Sequence, residues 1–167
     1  PKTFKEPEKP VPAPVERTGR PYTFKERKLT ASELEYWQQY GITPEILEQY
    51  KVCSVVQFQS ENADGNPFSY SSTKEEPIYG YKNKRFIKLY RPFSKTRFLY
   101  GGNIGESYCF GLEQLPSKGD TLFITGGEKD VMSLAAHGFH AICFNSETVT
   151  VPPNIIYKLT FRFKHII

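Results

Sequence analysis

The stretch from Thr121 to Cys143 limits most sharply what this chain can become. A short apolar run, Leu122 to Thr125, has the length and composition of a buried strand. Gly126 and Gly127 then break it with a tight turn. The next residues carry Val131, Leu134 and Ala135 at helical spacing, and Gly138 ends that helix. A second buried strand is expected over Ala141 to Phe144. The product is a strand–turn–helix–strand unit, the building block of a parallel sheet. Its acids, Glu128 and Asp130, fall where the strand hands over to the helix. In open α/β sheets, ligands bind at the carboxyl ends of strands. Two roles therefore stand open for the acids. They could position a divalent cation, or they could simply favour the helix N-terminus, at about 0.3–1 kcal/mol each.

The segment Gly127-Glu128-Lys129-Asp130, with its strand before and its amphipathic helix to Gly138 after, resembles the toprim domain of primases, topoisomerases and some nucleases. The resemblance is strongest to the primase part of phage and mitochondrial-type primase–helicases. The helix–Gly–Ile-Thr-Pro-Glu–helix opening around Gly41 to Glu45 and the run Cys109-Phe110-Gly111-Leu112 extend it over about residues 29–167. Only residues 121–145 are specific. The pattern departs at one place: the leading glutamate of the family falls on Gly126. Glu128 is then the nearest acid to take over that role, and Asp130 becomes the tentative metal ligand.

The fold expected is an α+β N-terminal subdomain over residues 22–116, followed by the first half of an α/β toprim domain, with a parallel sheet, over 117–167. Residues 1–21 hold six prolines among Lys and Glu and read as an extended or disordered linker. Thr30 and Glu33 form a capping box for a first helix that places Trp37 in the core. Thr43-Pro44 opens a second, short helix with Ile46, Leu47 and Tyr50 on its buried side. Strands are expected over Val52 to Gln59, Phe86 to Tyr90 and around Phe98 to Gly102. Pro152-Pro153 should start a helix, and His165-Ile166-Ile167 should begin a third parallel strand. The resemblance implies an acidic Asp-x-Asp pair beyond that strand and a replicative helicase domain in the same or another chain, and the start without Met suggests a module upstream, such as a zinc-binding one.

Charge is unevenly placed. Residues 1–28 hold eight Lys/Arg and four Glu, while 29–167 balance. Within that balanced part, Lys82 to Arg97 has seven basic residues and no acid. Seven aromatic residues interleave with them between Tyr79 and Tyr100. Cations for phosphates and rings for bases are the mixture that binds single-stranded nucleic acid. The same pattern also suits a sheet with one solvated basic face and one buried aromatic face. Lys84, Arg85, Lys88, Arg91 and Lys129 are the candidate phosphate contacts, with Lys88 and Arg91 the leading pair. Gly126, Gly127, Asn145 and Glu147 are candidates to line the crevice, although Asn145 to Glu147 also reads as an ordinary capped turn.

Several classes drop out. No run of 18 apolar residues is present, so no membrane-spanning helix is expected. The three cysteines lack metal or disulfide spacing and suit a reducing compartment. The resemblance implies a cytoplasmic protein, bacterial or phage-encoded. It also implies primer synthesis by nucleotidyl transfer on a single-stranded DNA template, from nucleoside triphosphates and with Mg²⁺. A toprim nuclease or topoisomerase-like enzyme, and a binding module that has lost catalysis, remain as alternatives. With Gly126 in place of the acid and no third-strand acidic pair, this chain alone is expected to make no primer.

Overall fold

A computed structural model describes residues 19–105, 108–146 and 148–167. Most of the expected linker, and Glu147, lie outside the described residues. The chain is mixed α+β, with an antiparallel sheet and a separate parallel sheet of three strands.

The antiparallel sheet contains β1 (Tyr22–Arg27), β2 (Val52–Glu61), β3 (Pro67–Ser71), β4 (Tyr79–Lys82), β5 (Phe86–Tyr90) and β6 (Phe98–Gly102). The order is β1-β2-β4-β5-β6, with β3 also paired to β2. The two ends of this order meet. The Gly102 N–H donates to the Arg20 carbonyl at 3.1 Å, and the Ser60 hydroxyl donates to the Pro21 carbonyl at 2.9 Å. Arg20 and Pro21 therefore belong to the sheet, and the folded unit begins before the boundary expected at Tyr22. Two glycines permit the closure. A Cβ on Gly101 would strike the Tyr22 ring, and one on Gly102, at φ +79°, would strike the Arg85 carbonyl.

Period-two alternation gives this sheet two unlike faces. Val55, Phe58, Ile78, Ile87 and Leu89 point inward and form a core with Tyr22, Phe24 and Leu99. Tyr79, Tyr81 and Tyr90 point the other way and pack on helices. The first is α1 (Ala31–Gln38), capped by Thr30 and Glu33 as a complete capping box. The second is α2 (Pro44–Gln49), capped by Thr43 with Pro44 in its first turn. Trp37 is fully buried between them and the sheet.

The parallel sheet contains β7 (Gly119–Thr125), β8 (His140–Cys143) and β9 (Phe163–Ile166), in the order β8-β7-β9. Between them run α3 (Glu128–Ala136) and α4 (Pro153–Thr160). The strands start slightly earlier than the apolar runs suggest: β8 begins at His140 and β9 at Phe163. Leu122, Ile142, Phe144, Leu159 and Phe163 form the core of this part. Val131 and Met132 of α3 instead join the aromatic cluster of the antiparallel sheet, so one helix serves both halves. None of the helices among the described residues is long and apolar enough to cross a membrane.

Candidate functional site

The strand order places β7 in the middle, with β8 on one side and β9 on the other. The chain leaves the carboxyl end of β7 through Gly126 and Gly127, and that of β8 through Phe144 and Asn145. Such a reversal of direction opens a crevice at the strand ends. Gly127 is the N-cap of α3 in an extended conformation that any residue adopts, and a Cβ there would meet nothing closer than Asp130 Oδ2 at 3.8 Å. Steric demand therefore does not explain Gly127. Gly126 is exposed at the crevice mouth.

Glu128 and Lys88, expected as separate functional residues, are partners. Lys88 Nζ donates to Glu128 Oε1 at 2.6 Å and to the Asn145 carbonyl at 3.0 Å. Tyr108 donates its hydroxyl to the same Glu128 oxygen at 2.6 Å. Lys88 is 2% and Glu128 3% exposed. The ammonium also faces the rings of Phe98 at 4.7 Å and Tyr108 at 5.4 Å, where the negative π-faces add to its stabilisation. Burial, and then the Glu128 charge, push the Tyr108 hydroxyl well above the usual phenol range. Tyr108 therefore stays a proton donor to the carboxylate.

This geometry corrects the picture of Lys88 as a solvent-facing phosphate grip. Its cross-strand neighbours are Tyr81 and Tyr100, and that face of β5 is covered by α3 and Tyr108 rather than by water. Arg91 is also packed. Its guanidinium lies 4.3 Å from the centre of the Tyr70 ring and 3.6 Å from Glu76. The expected leading pair are thus the two least accessible cations of the basic block. The exposed ones lie at the two ends of β5. Lys84 and Arg85 stand in the turn before it, and Lys95 and Arg97 in the connection after it. At about 3.3 Å per residue, Arg85 and Arg91 lie about 20 Å apart along the chain.

The aromatic half of the block divides in the same way. Tyr79, Tyr81, Phe86 and Tyr90 are core residues, whereas Phe93, Phe98 and Tyr100 are 63%, 38% and 40% exposed. The sheet has neither a wholly basic nor a wholly solvated face. It has one face that mixes aliphatic and aromatic residues and another, rich in tyrosine, that packs on the helices, with Lys88 on the latter. Lys88, the cross-strand neighbour of Tyr100, donates to the Asn145 carbonyl, so the edge of β6 adjoins the carboxyl end of β8. The Oδ1 of Asn145 is buried there without a hydrogen-bond partner. Lys129 leans away, with Nζ 3.7 Å from the centre of the Tyr40 ring. Asp130 is exposed in the first turn of α3.

The donors present do not by themselves make a magnesium site. Glu128 Oε1 is committed to Lys88 and Tyr108, which leaves Asp130 as an exposed carboxylate without a second. Among the described residues, no group of three or more His, Cys, Asp or Glu is arranged to hold a metal ion. Thiol chemistry also finds no support. Burial pushes the Cys53 and Cys109 thiols up to about 12, and burial raises Cys143 as well.

Sequence reasoning missed Tyr108. No motif marks it, and only its contact with Glu128, twenty residues along, reveals the role. It also preferred Arg91 to Arg97, which differ only in what lies over them. No protein-family model matches the chain, and a search of curated proteins finds no match.

Proposed function

We propose that this chain is part of a primase-type nucleotidyl-transfer core that holds single-stranded DNA along the exposed edge of β6. The observation that carries the reading is the strand order, which reverses about β7 at the end that carries Gly126, Gly127 and Asp130, with the aromatic edge of β6 beside it. The toprim resemblance of the segment from β7 through α3 supports the same reading. In it, bases stack on Phe98 and Tyr100, and phosphates meet Lys95 and Arg97. Asn145, Gly126 and Gly127 line the crevice towards which the strand runs. Asp130 is the carboxylate free to face a reacting phosphate. Glu128 acts indirectly, by fixing Lys88 and Tyr108 beneath the edge. Nucleoside triphosphates are the expected co-substrates and Mg²⁺ the expected ion.

A second reading, a nucleic-acid-binding module without catalysis, is favoured by one feature. The acid nearest to the position of Gly126 is neutralised by a buried lysine. Both readings require the same DNA contacts.

Fluorescence anisotropy with a labelled oligothymidine tests those contacts. Base stacking contributes about 1–3 kcal/mol per base, so Phe98→Ala with Tyr100→Ala should weaken binding by at least about tenfold. Arg97→Ala should reduce the slope of log affinity against log salt by about 0.7, the value for one phosphate on a single strand. Unchanged affinity in a folded Phe98→Ala/Tyr100→Ala variant would remove β6 from the interface.

A further inference from the structure

Arg97 is exposed, yet one of its N–H groups is already engaged. Its Nη2 donates to the Tyr90 hydroxyl at 3.1 Å, and the Tyr90 and Tyr36 hydroxyls are hydrogen-bonded at 2.9 Å. The Tyr90 oxygen accepts from a cation, which favours donation of its own proton onward to Tyr36. Burial, and then the bond to Tyr90, push the Tyr36 hydroxyl above the usual phenol range, so Tyr36 keeps its proton at neutral pH. The chain of bonds ties α1 to the end of β5 and to Arg97. Phe98 stacks on the Tyr90 ring, with centroids 5.5 Å apart and planes 26° apart. Packing alone does not call for the two hydroxyls. Both rings belong to the aromatic cluster around Trp37 and Tyr79, where Phe would fill the same space.

We infer that Tyr36 and Tyr90 are positioning residues for the β6 edge: their paired hydroxyls hold the Arg97 guanidinium ready for a phosphate beside Phe98. The inference rests on the DNA reading of that edge. Tyr90 is 3% exposed, so it acts through its neighbours and not on the strand itself. A free arginine loses its rotamers on binding, whereas one anchored in the unbound chain has fewer to lose. The remaining N–H groups of Arg97 stay available for phosphate oxygens. Tyr90 holds Arg97 by its hydroxyl and Phe98 by its ring, so it also fixes the spacing between the phosphate grip and the base platform.

Tyr36→Phe, Tyr90→Phe and the double variant, each with and without Arg97→Ala in the full chain, test the inference by anisotropy with labelled oligothymidine. Each single variant strands one hydroxyl and costs stability, whereas removing both partners is nearly neutral. The double variant should therefore melt close to the parent yet bind about three- to tenfold more weakly, the range for one immobilised side chain. Its salt slope should match the parent's, because Arg97 keeps its charge, while Arg97→Ala lowers the slope. In the Arg97→Ala background the tyrosine substitutions should weaken binding no further. Nuclear magnetic resonance of the DNA-free chain should find the Arg97 guanidinium ordered in the parent and mobile in the double variant. Unchanged affinity in the double variant, a loss that persists without Arg97, or a guanidinium equally mobile in both chains would overturn the inference. If Phe98→Ala with Tyr100→Ala leaves binding unchanged, the DNA reading falls and takes the inference with it. If that variant weakens binding and the tyrosine double variant does not, the inference falls alone.

Discussion

Glu33 shows how one side chain can serve two levels of structure. It closes the capping box of α1, accepting from the Thr30 N–H at 2.8 Å. Its other oxygen accepts from the Ser54 hydroxyl at 2.7 Å and from Arg27 at 3.3 Å. Burial pushes its carboxyl up, but the hydrogen bonds from Thr30, Ser54 and Arg27 outweigh that, and it titrates below the usual carboxylate range. A carboxyl whose folded value is depressed stabilises the fold above its unfolded value, about 4.3 for Glu. The contribution is lost as pH falls through the folded value. Glu33→Gln should therefore lower the melting temperature at pH 7, and the gap from the parent should close as pH drops below about 4. Melting curves from pH 3 to 7 decide it; a gap that is constant with pH would mean the charge plays no part. The capping half of this role was legible from Thr30 and Glu33 alone. The Ser54 half was not, because no local pattern says which strand will lie against a helix start.

At the scale of elements, β5 and β6 mark how far strand alternation can be read. Alternation along Phe86 to Tyr90 puts Phe86 and Lys88 on one face, as observed, and the basic and aromatic pattern of the region suits a sheet. Alternation says which residues share a face, but not what covers it. Here the cover comes from Tyr108 and α3, both beyond the end of β6 at Gly102, so Lys88 read as solvated when it is enclosed. β1 escaped notice for another reason: its alternating Tyr22 and Phe24 follow directly on a proline-rich stretch that argues against structure. The parallel unit was the most legible part, because strand, turn and helix there are adjacent in sequence and local signals suffice. The β5–β6 pairing also has a specific steric condition at Gly102. Its left-handed backbone disfavours any side chain by about 1–2 kcal/mol, and a Cβ would in addition press on the Arg85 carbonyl. Gly138 has a similar φ of +81° with nothing within 4 Å. Gly138→Ala should thus cost about 1 kcal/mol, and Gly102→Ala at least about 1 kcal/mol more. Urea denaturation midpoints of the two variants measure the difference, and equal losses would show that the sheet closure tolerates a side chain.

At the scale of the whole molecule, the two sheets are held together by a shared apolar cluster, to which α3 and β8 contribute, and by a buried ion pair. Val131 and Met132 of α3, with Ala141 and Cys143 of β8, supply the apolar part of the junction, and Lys88–Glu128 supplies its buried ionic part. Apolar contact alone would allow the halves to slide, since packing has little directional preference. The ion pair, with Tyr108 and the Asn145 carbonyl, has fixed donor and acceptor positions and so sets how β6 stands against the crevice. Buried pairs cost much of their attraction in desolvation, so their net contribution to stability is small. Removing one partner is different, because it strands the other charge, at about 3–5 kcal/mol. Lys88→Met and Glu128→Leu should each destabilise the chain by about that amount, and the double variant by clearly less than either. Equilibrium unfolding of the three variants gives the coupling energy directly. The double variant should also keep its fold while binding oligothymidine less tightly, because Phe98 and Tyr100 then lose the cation beneath them. Additive losses in stability would mean that Lys88 and Glu128 do not act as a pair. Recovered stability with unaltered DNA affinity would mean that the pair joins the sheets without shaping the interface.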